Sequence, residues 1–533
     1  MAIKRYTADA DTTITNAYRS NLTTRGTGSN MGRADSMAIF SIYGQESSGS
    51  TELSRTLLRF PVSTISSDRT NGVIPDSGSV NFYLRMFNAV TPFTVPRDFY
   101  LTINAVSGTT WPAGFNWQEG SGIDMEDYTD ITRDGIGSNW MNAGSSSSGG
   151  LVRWENVGGD YFTDSSSSFT DYFSDGTEDL EVDITTLVEQ WVNSAGNVLG
   201  SKANYGVGVH LSASYEAYFS SSLGIGNATG SVPDNREGAR RSYYTKKFFA
   251  RSSEFFFKRP YIEARWDSAI KDERGDFYYS SSLATPAENL NTVYLYNYFR
   301  GQLRNIPSIG TNPIYLSVYS GSATNSGPFG ANLRLVPDGK HVSQGNPYVV
   351  TGSYVSTGIY SASFAITSAA TPLTHLFDVW HNGPNTIQYH SGTIEPKTLR
   401  LAAGAPSTTF VSSITNLKPV YNTSETARFR VFTREKNWHP NVYTRTVSTT
   451  PVSIVDSGSF AITRIIDDLD AIPFGTGSTL HTQLSFDVSG SYFDLDMGML
   501  EPGYAYKATL AFYNGSIGDW QIQPQEFKFR VEE

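Results

Sequence analysis

The densest group of side chains that could do chemistry lies in the stretch GSGIDMEDYTD. The four carboxylates within seven residues of it are Asp124, Glu126, Asp127 and Asp130. Carboxylate oxygens are ligands that Ca²⁺ prefers, so this stretch is a candidate metal site and calcium is the one candidate cofactor. The spacing differs from the EF-hand pattern. A solvated acidic loop is therefore the favoured interpretation, and a glycan-cleaving carboxylate pair is a third alternative.

Two other stretches carry weaker patterns of the same kind. The segment IIDDLD contains Asp467, Asp468 and Asp470. Because these carboxylates alternate with apolar residues, we expect a strand that runs into a turn. The segment GTGSNMG (Gly26–Gly32) has the glycines of a phosphate loop. It lacks the Lys-Ser/Thr ending and a following helix pattern, so we expect a plain turn.

Histidine, the commonest general base, offers little for catalysis in this chain. The seven histidines are His210, His341, His375, His381, His390, His439 and His481. Composition alone does not exclude a Ser–His–Asp arrangement, but the G-x-S-x-G motif of serine hydrolases is absent. The chain also has no cysteine, which excludes cysteine nucleophiles, thiolate metal sites and disulfides. We therefore expect no catalytic residues and no enzymatic activity.

An aromatic run, FFFKRPY, is the strongest candidate for an interface. Its aromatic residues are Phe255, Phe256, Phe257 and Tyr261. Read as a strand, consecutive side chains alternate between the two faces, so at least one of them faces away from its own core. We expect another domain or subunit to cover that face. Stacking on a sugar ring is the alternative.

The elements that must position these residues are mostly short strands. Aromatic and β-branched segments alternate with Gly, Ser and Asn turns along the whole chain. In the first half we predict strands at 55–62, 79–90, 98–107, 205–214, 244–253 and 259–266. In the second half we predict them at 291–299, 312–321, 358–366, 376–383, 427–435, 460–468, 480–489, 504–512 and 525–533. The stretch 116–179, with two serine runs, predicts long surface connections.

One segment, DITTLVEQWVN, predicts a helix. Its apolar residues Ile184, Leu187, Val188 and Trp191 recur at the spacing of one helix face. Asp183 stands at the expected N-cap position. We expect Trp191 to fill the core at one end of a sandwich.

The predicted fold class is all-β, with an N-terminal jelly-roll-like sandwich containing one short helix, followed by two Ig-like sandwiches. A charge-dense stretch after Trp266 predicts a boundary near residue 268. The predicted domains are 1–268, 269–409 and 410–533.

Composition excludes several classes of function. The net charge of −11 repels phosphate backbones, so we expect no nucleic-acid partner. The N-terminus has no apolar core of a signal peptide, and no apolar stretch is long enough to span a bilayer. We expect synthesis in a cytoplasm and no membrane insertion.

The first 260 residues resemble the DNRLRE-type β-sandwich domain of secreted and surface proteins. The matching segments are ADADTTITNAY, RTLLRFPVSTI, SVNFYLRMFN, WQEGSG, DITTLVEQWV, NYGVGVHL and RPYIEARW, in the order that the family has them. The resemblance implies that RTLLRFPVSTI is the first core strand. Long insertions near the serine runs and at 224–241 depart from the family pattern.

The segment SYYTKKFFARSSEFFFKRPYIEARWDS resembles structural proteins of large tailed phages, cyanophages among them. The similarity extends through GDFYYSSSLATPAENLNTVYLYNYFRGQL and VSTGIYSASFAI. It implies a virion protein of the neck, tail, fibre or head surface, with other virion proteins and further copies of itself as partners. The alternative is an adhesin that binds a host-surface glycan, and a carbohydrate-active enzyme is a more distant one.

Overall fold

The computed structural model of the chain describes residues 2–45, 48–92, 94–123, 137–146, 149–193, 199–322, 324, 328, 330–336, 347–367, 373–384, 386–398, 409–436, 438 and 452–533. The chain divides into two compact units. The first unit is Ala2–Asp267 and the second is Ser268–Glu533, so the division falls where the charge-dense stretch begins. No helix among these residues is both long enough and apolar enough to cross a bilayer.

Fifteen strands and two helices are described in the N-terminal unit. The strands are β1 (Ile3–Thr7), β2 (Ala10–Thr15), β3 (Ser36–Ile42), β4 (Glu52–Arg59), β5 (Asn81–Met86), β6 (Phe99–Ala105), β7 (Asn142–Ser145), β8 (Leu151–Arg153), β9 (Ser168–Phe173), β10 (Leu180–Asp183), β11 (Val207–Leu211), β12 (Ala228–Thr229), β13 (Val232–Pro233), β14 (Tyr243–Phe249) and β15 (Tyr261–Arg265). The helices are α1 (Val62–Thr70) and α2 (Thr185–Val192).

Two antiparallel sheets form the N-terminal sandwich. The smaller sheet has the order β1-β15-β5-β10, and the larger has the order β14-β3-β4-β11-β6-β9 with β2 paired to β4. Strand β5 shows why these segments form strands. Its residues Phe82, Leu84 and Met86 are fully buried in the core between the sheets, while the residues between them face the other way.

The described residues of this unit contain a second helix, α1, besides the one that the sequence predicted. The predicted first strand ends at Arg59, and α1 begins directly after Pro61. Pro61 is the N-cap residue of α1. It cannot lie inside a helix without removing a hydrogen bond, so it suits a position just before the helix start. Only Val62 and Ile65 of α1 are buried, so the segment carries too short an apolar pattern to predict a helix.

The helix predicted at 183–193 is confirmed as α2. The side chains of Ile184, Leu187, Val188 and Trp191 are all buried in the main core. The N-cap position is Ile184 rather than Asp183. Asp183 still satisfies the helix start, since its carboxylate accepts a hydrogen bond from the Thr185 amide at 2.9 Å.

The described parts of the stretch 116–179, which are 116–123, 137–146 and 149–179, are not only the surface connections that the sequence predicted. Together with nearby loops they carry a second core on the outer side of β2 and β4. The four tryptophans of this second core, all buried, are Trp111, Trp117, Trp140 and Trp154. The ring N–H groups of three of them donate to backbone oxygens: Trp117 to Tyr205 (2.8 Å), Trp140 to Ser231 (2.7 Å) and Trp154 to Asn139 (2.8 Å). These bonds fasten three separate loops to one cluster.

Seventeen strands are described in the second unit. They are β16 (Asn291–Tyr296), β17 (Tyr298–Phe299), β18 (Gln302–Leu303), β19 (Ile314–Gly321), β20 (Val350–Ser356), β21 (Ile359–Phe364), β22 (His375–His381), β23 (Gln388–Ile394), β24 (Phe410–Ile414), β25 (Val420–Asn422), β26 (Thr426–Glu435), β27 (Gly458–Arg464), β28 (Asp470–Ile472), β29 (Ser485–Asp487), β30 (Gly490–Asp496), β31 (Ala505–Asn514) and β32 (Asp519–Glu532).

The middle sandwich is one sheet that folds over on itself, in the order β16-β21-β20-β19-β22-β23. Strand β20 is shared, because its first residues pair with β19 and its last residues pair with β21. The two halves enclose a common apolar core that includes Leu316, Phe364 and Trp380.

The C-terminal sandwich has two separate sheets. Their orders are β24-β26-β30-β29 and β25-β32-β31-β27-β28. Aromatic rings fill the space between them. Phe460 of one sheet stacks on Phe493 of the other with 4.1 Å between ring centroids. The prediction of an all-β chain with one large sandwich followed by two Ig-like sandwiches is therefore confirmed.

The charge-dense segment 269–276 joins the two sandwiches of the second unit. Ile270 accepts a backbone hydrogen bond from Phe486 of β29 at 2.9 Å, and Asp272 donates one to the same residue at 3.1 Å. Four residues after Ile270, Arg274 pairs with Asp378 of β22. The segment thus adds a strand-like edge beside β29 of the C-terminal sandwich, and its Arg274 binds β22 of the middle sandwich.

Candidate functional site

The predicted acidic site cannot be placed. Asp124, Glu126, Asp127 and Asp130 lie outside the described residues, so the calcium hypothesis stays a prediction. The two flanks of that stretch are described, and Asn30 holds both. Its side chain accepts from the Gly122 amide at 3.2 Å and donates to the Ser138 carbonyl at 2.8 Å. Within the described ranges no group of three or more His, Asp or Glu side chains is arranged to hold a metal ion.

The aromatic run 255–257 is placed on the surface, between β14 and β15. The sequence predicted a strand for this run. In the structure, Phe256–Lys258 form a 3-10 turn instead. Ser253 curls the chain, since its hydroxyl accepts from the Phe255 amide at 3.2 Å and its carbonyl accepts two bonds from the Arg259 guanidinium. The exposed fractions are 45% for Phe255 and 57% for Phe256.

These two rings belong to a small cluster with a positively charged border. We call Phe249, Phe255, Phe256, Lys258 and Arg259 the phenylalanine patch. Phe249 packs edge-on against Phe255 at 5.4 Å. The Lys258 amine lies 5.5 Å from the Phe249 ring, and the Arg259 guanidinium lies 5.2 Å from the Phe256 ring. The patch therefore presents aromatic surface and cations together.

Tyr261, the fourth predicted interface residue, is not part of the exposed patch. It is only 4% exposed and lies on the outer side of the smaller sheet, where the Arg5 guanidinium stands 4.9 Å from its ring. Burial raises its pKa above the ordinary value. Its role is structural packing within the unit.

A second exposed aromatic surface was missed by the sequence reasoning. Tyr100 of β6 and Tyr172 of β9 are register partners whose rings lie 5.0 Å apart, and they are 42% and 47% exposed. Tyr215 packs against Tyr100 at 6.0 Å. The Tyr172 hydroxyl donates to Asp98 at 2.8 Å. We call Tyr100, Tyr172, Tyr215 and Asp98 the tyrosine face. The alternation in DFYLTIN could have indicated it, since Tyr100 falls between two core residues.

A buried ion pair lies beneath the tryptophans. The Arg55 guanidinium donates two bonds to Glu216, at 2.8 and 2.7 Å, and one to the Gly158 carbonyl at 3.0 Å. A cleft of about 470 Å³ leads to Arg55 from the surface. Because Glu216 already neutralises the guanidinium, this arrangement stabilises the second core rather than offering a free charge to a ligand.

His210, the one histidine of the N-terminal unit, lies beside that ion pair. Its Nδ1 donates to the Leu211 carbonyl at 2.8 Å. Burial, and after it the nearby Arg55 charge, lower the pKa of His210 to about 4. The imidazole is therefore neutral at physiological pH.

A buried carboxyl group, Asp11, and a half-buried one, Glu119, lie together near the start of β2. The Glu119 carboxylate accepts from the Asp11 amide at 2.9 Å and from the Arg251 guanidinium at 2.9 and 2.7 Å. The Asp11 carboxylate accepts from the Arg251 amide. Burial raises the pKa of Asp11 to about 7, and the neighbouring Glu119 adds to this rise. These contacts tie β2 to the loop before β15.

Among the described histidines, His381 lies beside a serine but is not placed to act as its base. His381 is fully buried, and its Nε2 lies 3.0 Å from the Ser317 hydroxyl. The Gly383 amide donates to His381 Nδ1 at 3.2 Å. The proton must therefore sit on Nε2, which donates to Ser317 and cannot act as its base. His375 pairs with Glu395 at 3.3 Å, and His341 and His439 lie outside the described residues.

Comparison with known proteins gives no family. No family model matches the chain, and no curated protein sequence matches it. Among solved structures the chain is similar to the N-terminal Ig1-2 module of Drosophila receptor protein tyrosine phosphatase DLAR, at 8% identity and a TM-score of 0.14, covering 46% of this chain and 91% of that one. It is also similar to the tandem Ig repeats of Dlar, at 13% identity and a TM-score of 0.12, covering 37% and 81%. Similarity at these TM-scores carries no argument about this chain.

Proposed function

We propose that the chain is a structural protein of a tailed-phage virion that acts by protein–protein assembly. The sequence resemblance around β14 and β15 supports the virion assignment. The all-β architecture, built from three sandwiches, supports a structural role. The partners are other virion proteins and further copies of the chain, and the place of action is the assembled particle.

The phenylalanine patch is the observation that carries the proposal. Phe255 and Phe256 expose about half of their surface to water, although apolar side chains of this size gain about 2–3 kcal/mol from full burial. They stand together on a short turn, and Lys258 and Arg259 stand at their border. Aromatic anchors surrounded by charges are typical of interfaces between proteins.

The charges at the border have a separate role in this proposal. The chain as a whole carries −11, so a cationic border is locally opposite to the average surface of a second copy. Charges at the edge of an interface set partner choice and association rate more than affinity. Association of copies should therefore weaken as the salt concentration rises.

The direct test is the molar mass of the purified chain in solution, measured by light scattering. The proposal expects a defined multiple of the 58.5 kDa chain at micromolar concentration. A monomer at all accessible concentrations, in the absence of other virion proteins, would remove the support for self-assembly.

The tyrosine face favours a second candidate function, a glycan-binding adhesin. Exposed tyrosine rings stack on the apolar faces of sugars, and a nearby carboxylate such as Asp98 can accept hydrogen bonds from sugar hydroxyls. A glycan array with the purified chain tests this candidate. Binding that is lost in Tyr172→Ala and retained in Tyr513→Ala, a tyrosine of similar exposure in the second unit, would support the adhesin. Absence of binding to every glycan on the array would contradict it.

A further inference from the structure

Lys246 of β14 is a lysine inside the N-terminal sandwich, with 1% of its surface exposed. Its amine donates to three oxygens. The first is Oδ1 of the Asn88 side chain at 2.7 Å, and the others are the backbone carbonyls of Gly176 at 3.0 Å and Glu178 at 2.7 Å. A buried lysine usually pairs with a carboxylate, whereas this one is directed at a carboxamide.

The three acceptors and two nearby rings suit the ammonium form of this group, whereas its burial opposes the charge. The Phe248 ring lies 4.7 Å from Nζ, and the Phe173 ring lies 5.1 Å from it. Burial among these groups lowers the pKa of Lys246 to about 8. About a tenth of the amine is therefore unprotonated at pH 7, and this neutral form is the nucleophilic one.

The carboxamide is held in place next to the amine. Asn88 follows β5 and forms an isolated antiparallel bridge with Phe248, and the amide of Phe249 donates to the carbonyl of Phe87 at 3.0 Å. These backbone contacts fix Asn88 beside β14. An Nζ–Oδ1 distance of 2.7 Å places the amine near the carbon that it would attack, which is the geometry that raises effective concentration.

A carboxyl group stands at the same site. The backbone N–H of Asn88 donates to Asp179 Oδ1 at 2.7 Å, which places this carboxyl beside Asn88. Partial shielding from water raises the pKa of Asp179, and the charges of Arg85 and Lys246 oppose that rise. The Asp179 charge also acts on Lys246, so this carboxyl is the acid that we assign to proton transfer in the reaction below.

We propose that Lys246 and Asn88 react to form an intramolecular isopeptide bond. The bond that forms joins Nζ of Lys246 to Cγ of Asn88, and the bond that breaks joins Cγ to Nδ2. Asp179 passes a proton to Nδ2, which leaves as ammonia, and regains one from Nζ. No oxidant, reductant or second substrate is needed, because an amine and a primary amide give a secondary amide and ammonia.

The bond would connect the two sheets of the sandwich. Lys246 belongs to the larger sheet, and Asn88 follows the strand β5 of the smaller sheet. A covalent connection between sheets restricts the unfolded chain in the way that a disulfide does. This chain has no cysteine for that purpose. The inference does not depend on the proposed function.

Mass spectrometry of the full-length protein tests the proposal. We expect the mass to be lower by about 17 Da, the mass of one ammonia, than the mass computed from the unmodified sequence. A tryptic digest should contain residues 86–97 joined to residues 242–247, with no cleavage after Lys246. The proposal is overturned if the digest of the folded wild-type protein shows cleavage after Lys246 together with an unlinked peptide 86–97. This holds whatever the variants show.

Variants identify the roles of the three groups. Lys246→Arg and Asn88→Ala should abolish the joined peptide. Asp179→Asn should leave Lys246 and Asn88 present but unlinked, and a fully linked Asp179→Asn protein would overturn the role of that acid. Lys247→Arg is the matched control, because its side chain points to the opposite face of β14, and it should retain the joined peptide.

Discussion

The guanidinium of Arg274 and the carboxylate of Asp378 form a buried double hydrogen bond at the start of the second unit. Asp378 is fully buried, and its Oδ2 accepts from Arg274 at 2.8 Å and from the ring N–H of Trp380 at 2.8 Å. Arg274 belongs to the segment 269–276, which also pairs with β29. One ion pair thus fixes the segment that connects both sandwiches of the unit.

Removal of one partner of that pair should be costly. Asp378→Ala leaves a buried guanidinium without its anion, so we expect a loss of about 3–5 kcal/mol in the free energy of unfolding. Urea denaturation of the full chain measures it. Asp494→Ala is the matched control, since Asp494 forms a similar double bond with Arg428 at the surface, where such pairs contribute at most about 1 kcal/mol. Equal losses in the two variants would contradict the role of burial.

Trp191 of α2 should contribute to the stability of the N-terminal unit through packing. It is 8% exposed and belongs to the main core. Trp191→Ala should therefore cost about 3–5 kcal/mol, visible as a lower melting temperature of that unit. Trp520→Ala, on the more accessible β31–β32 hairpin of the second unit, should leave that transition in place. An unchanged melting curve for Trp191→Ala would show that the indole is not a core residue.

His210 should make the N-terminal unit less stable in acid. Its folded pKa of about 4 lies below the unfolded value of about 6.5. The contribution of neutral His210 to the free energy of unfolding is therefore fully present above pH 6.5. It is lost as the pH falls through about 4, and the loss is on the order of 3 kcal/mol. His210→Gln should show a smaller loss over that interval in denaturant melts. A steeper acid loss in the variant would contradict this assignment.

Asp11 should act in the opposite direction. Its folded pKa of about 7 lies above the unfolded value of about 3.9. The contribution of protonated Asp11 to the free energy of unfolding is fully present below pH 3.9 and is lost as the pH rises through about 7. Asp11→Asn should remove this loss, so its stability should rise more steeply than that of the wild type between pH 4 and pH 7. Parallel pH profiles of variant and wild type would show that Asp11 is ionised in the folded chain throughout.

The sequence predicted the regular elements better than it predicted the loops. The alternation of β5 and the helical spacing of 184–191 each depend on local residues, and both were confirmed. Helix α1 was missed because only Val62 and Ile65 of it face the core. The tryptophan cluster was missed because its members are far apart in the chain, and serine runs among them read as exposed loops.

The candidate sites show the same limit. The run 255–257 was correctly singled out as aromatic, but its turn depends on Ser253 and Arg259 rather than on strand periodicity. The tyrosine face required the register of β6 with β9. The contact between Lys246 and Asn88 joins residues far apart in sequence. No pattern in one sequence announces contacts of that kind.

Substitution of the phenylalanine patch tests the proposed assembly role most directly. Phe255→Ser combined with Phe256→Ser removes the exposed rings without changing charge. Phe299→Ser is the control, because Phe299 is 52% exposed on the short β17–β18 hairpin of the second unit. In sedimentation velocity at equal concentration, the double variant should shift from the wild-type oligomer towards a folded monomer, and Phe299→Ser should remain an oligomer. An unchanged oligomer in the double variant would contradict assembly through this patch.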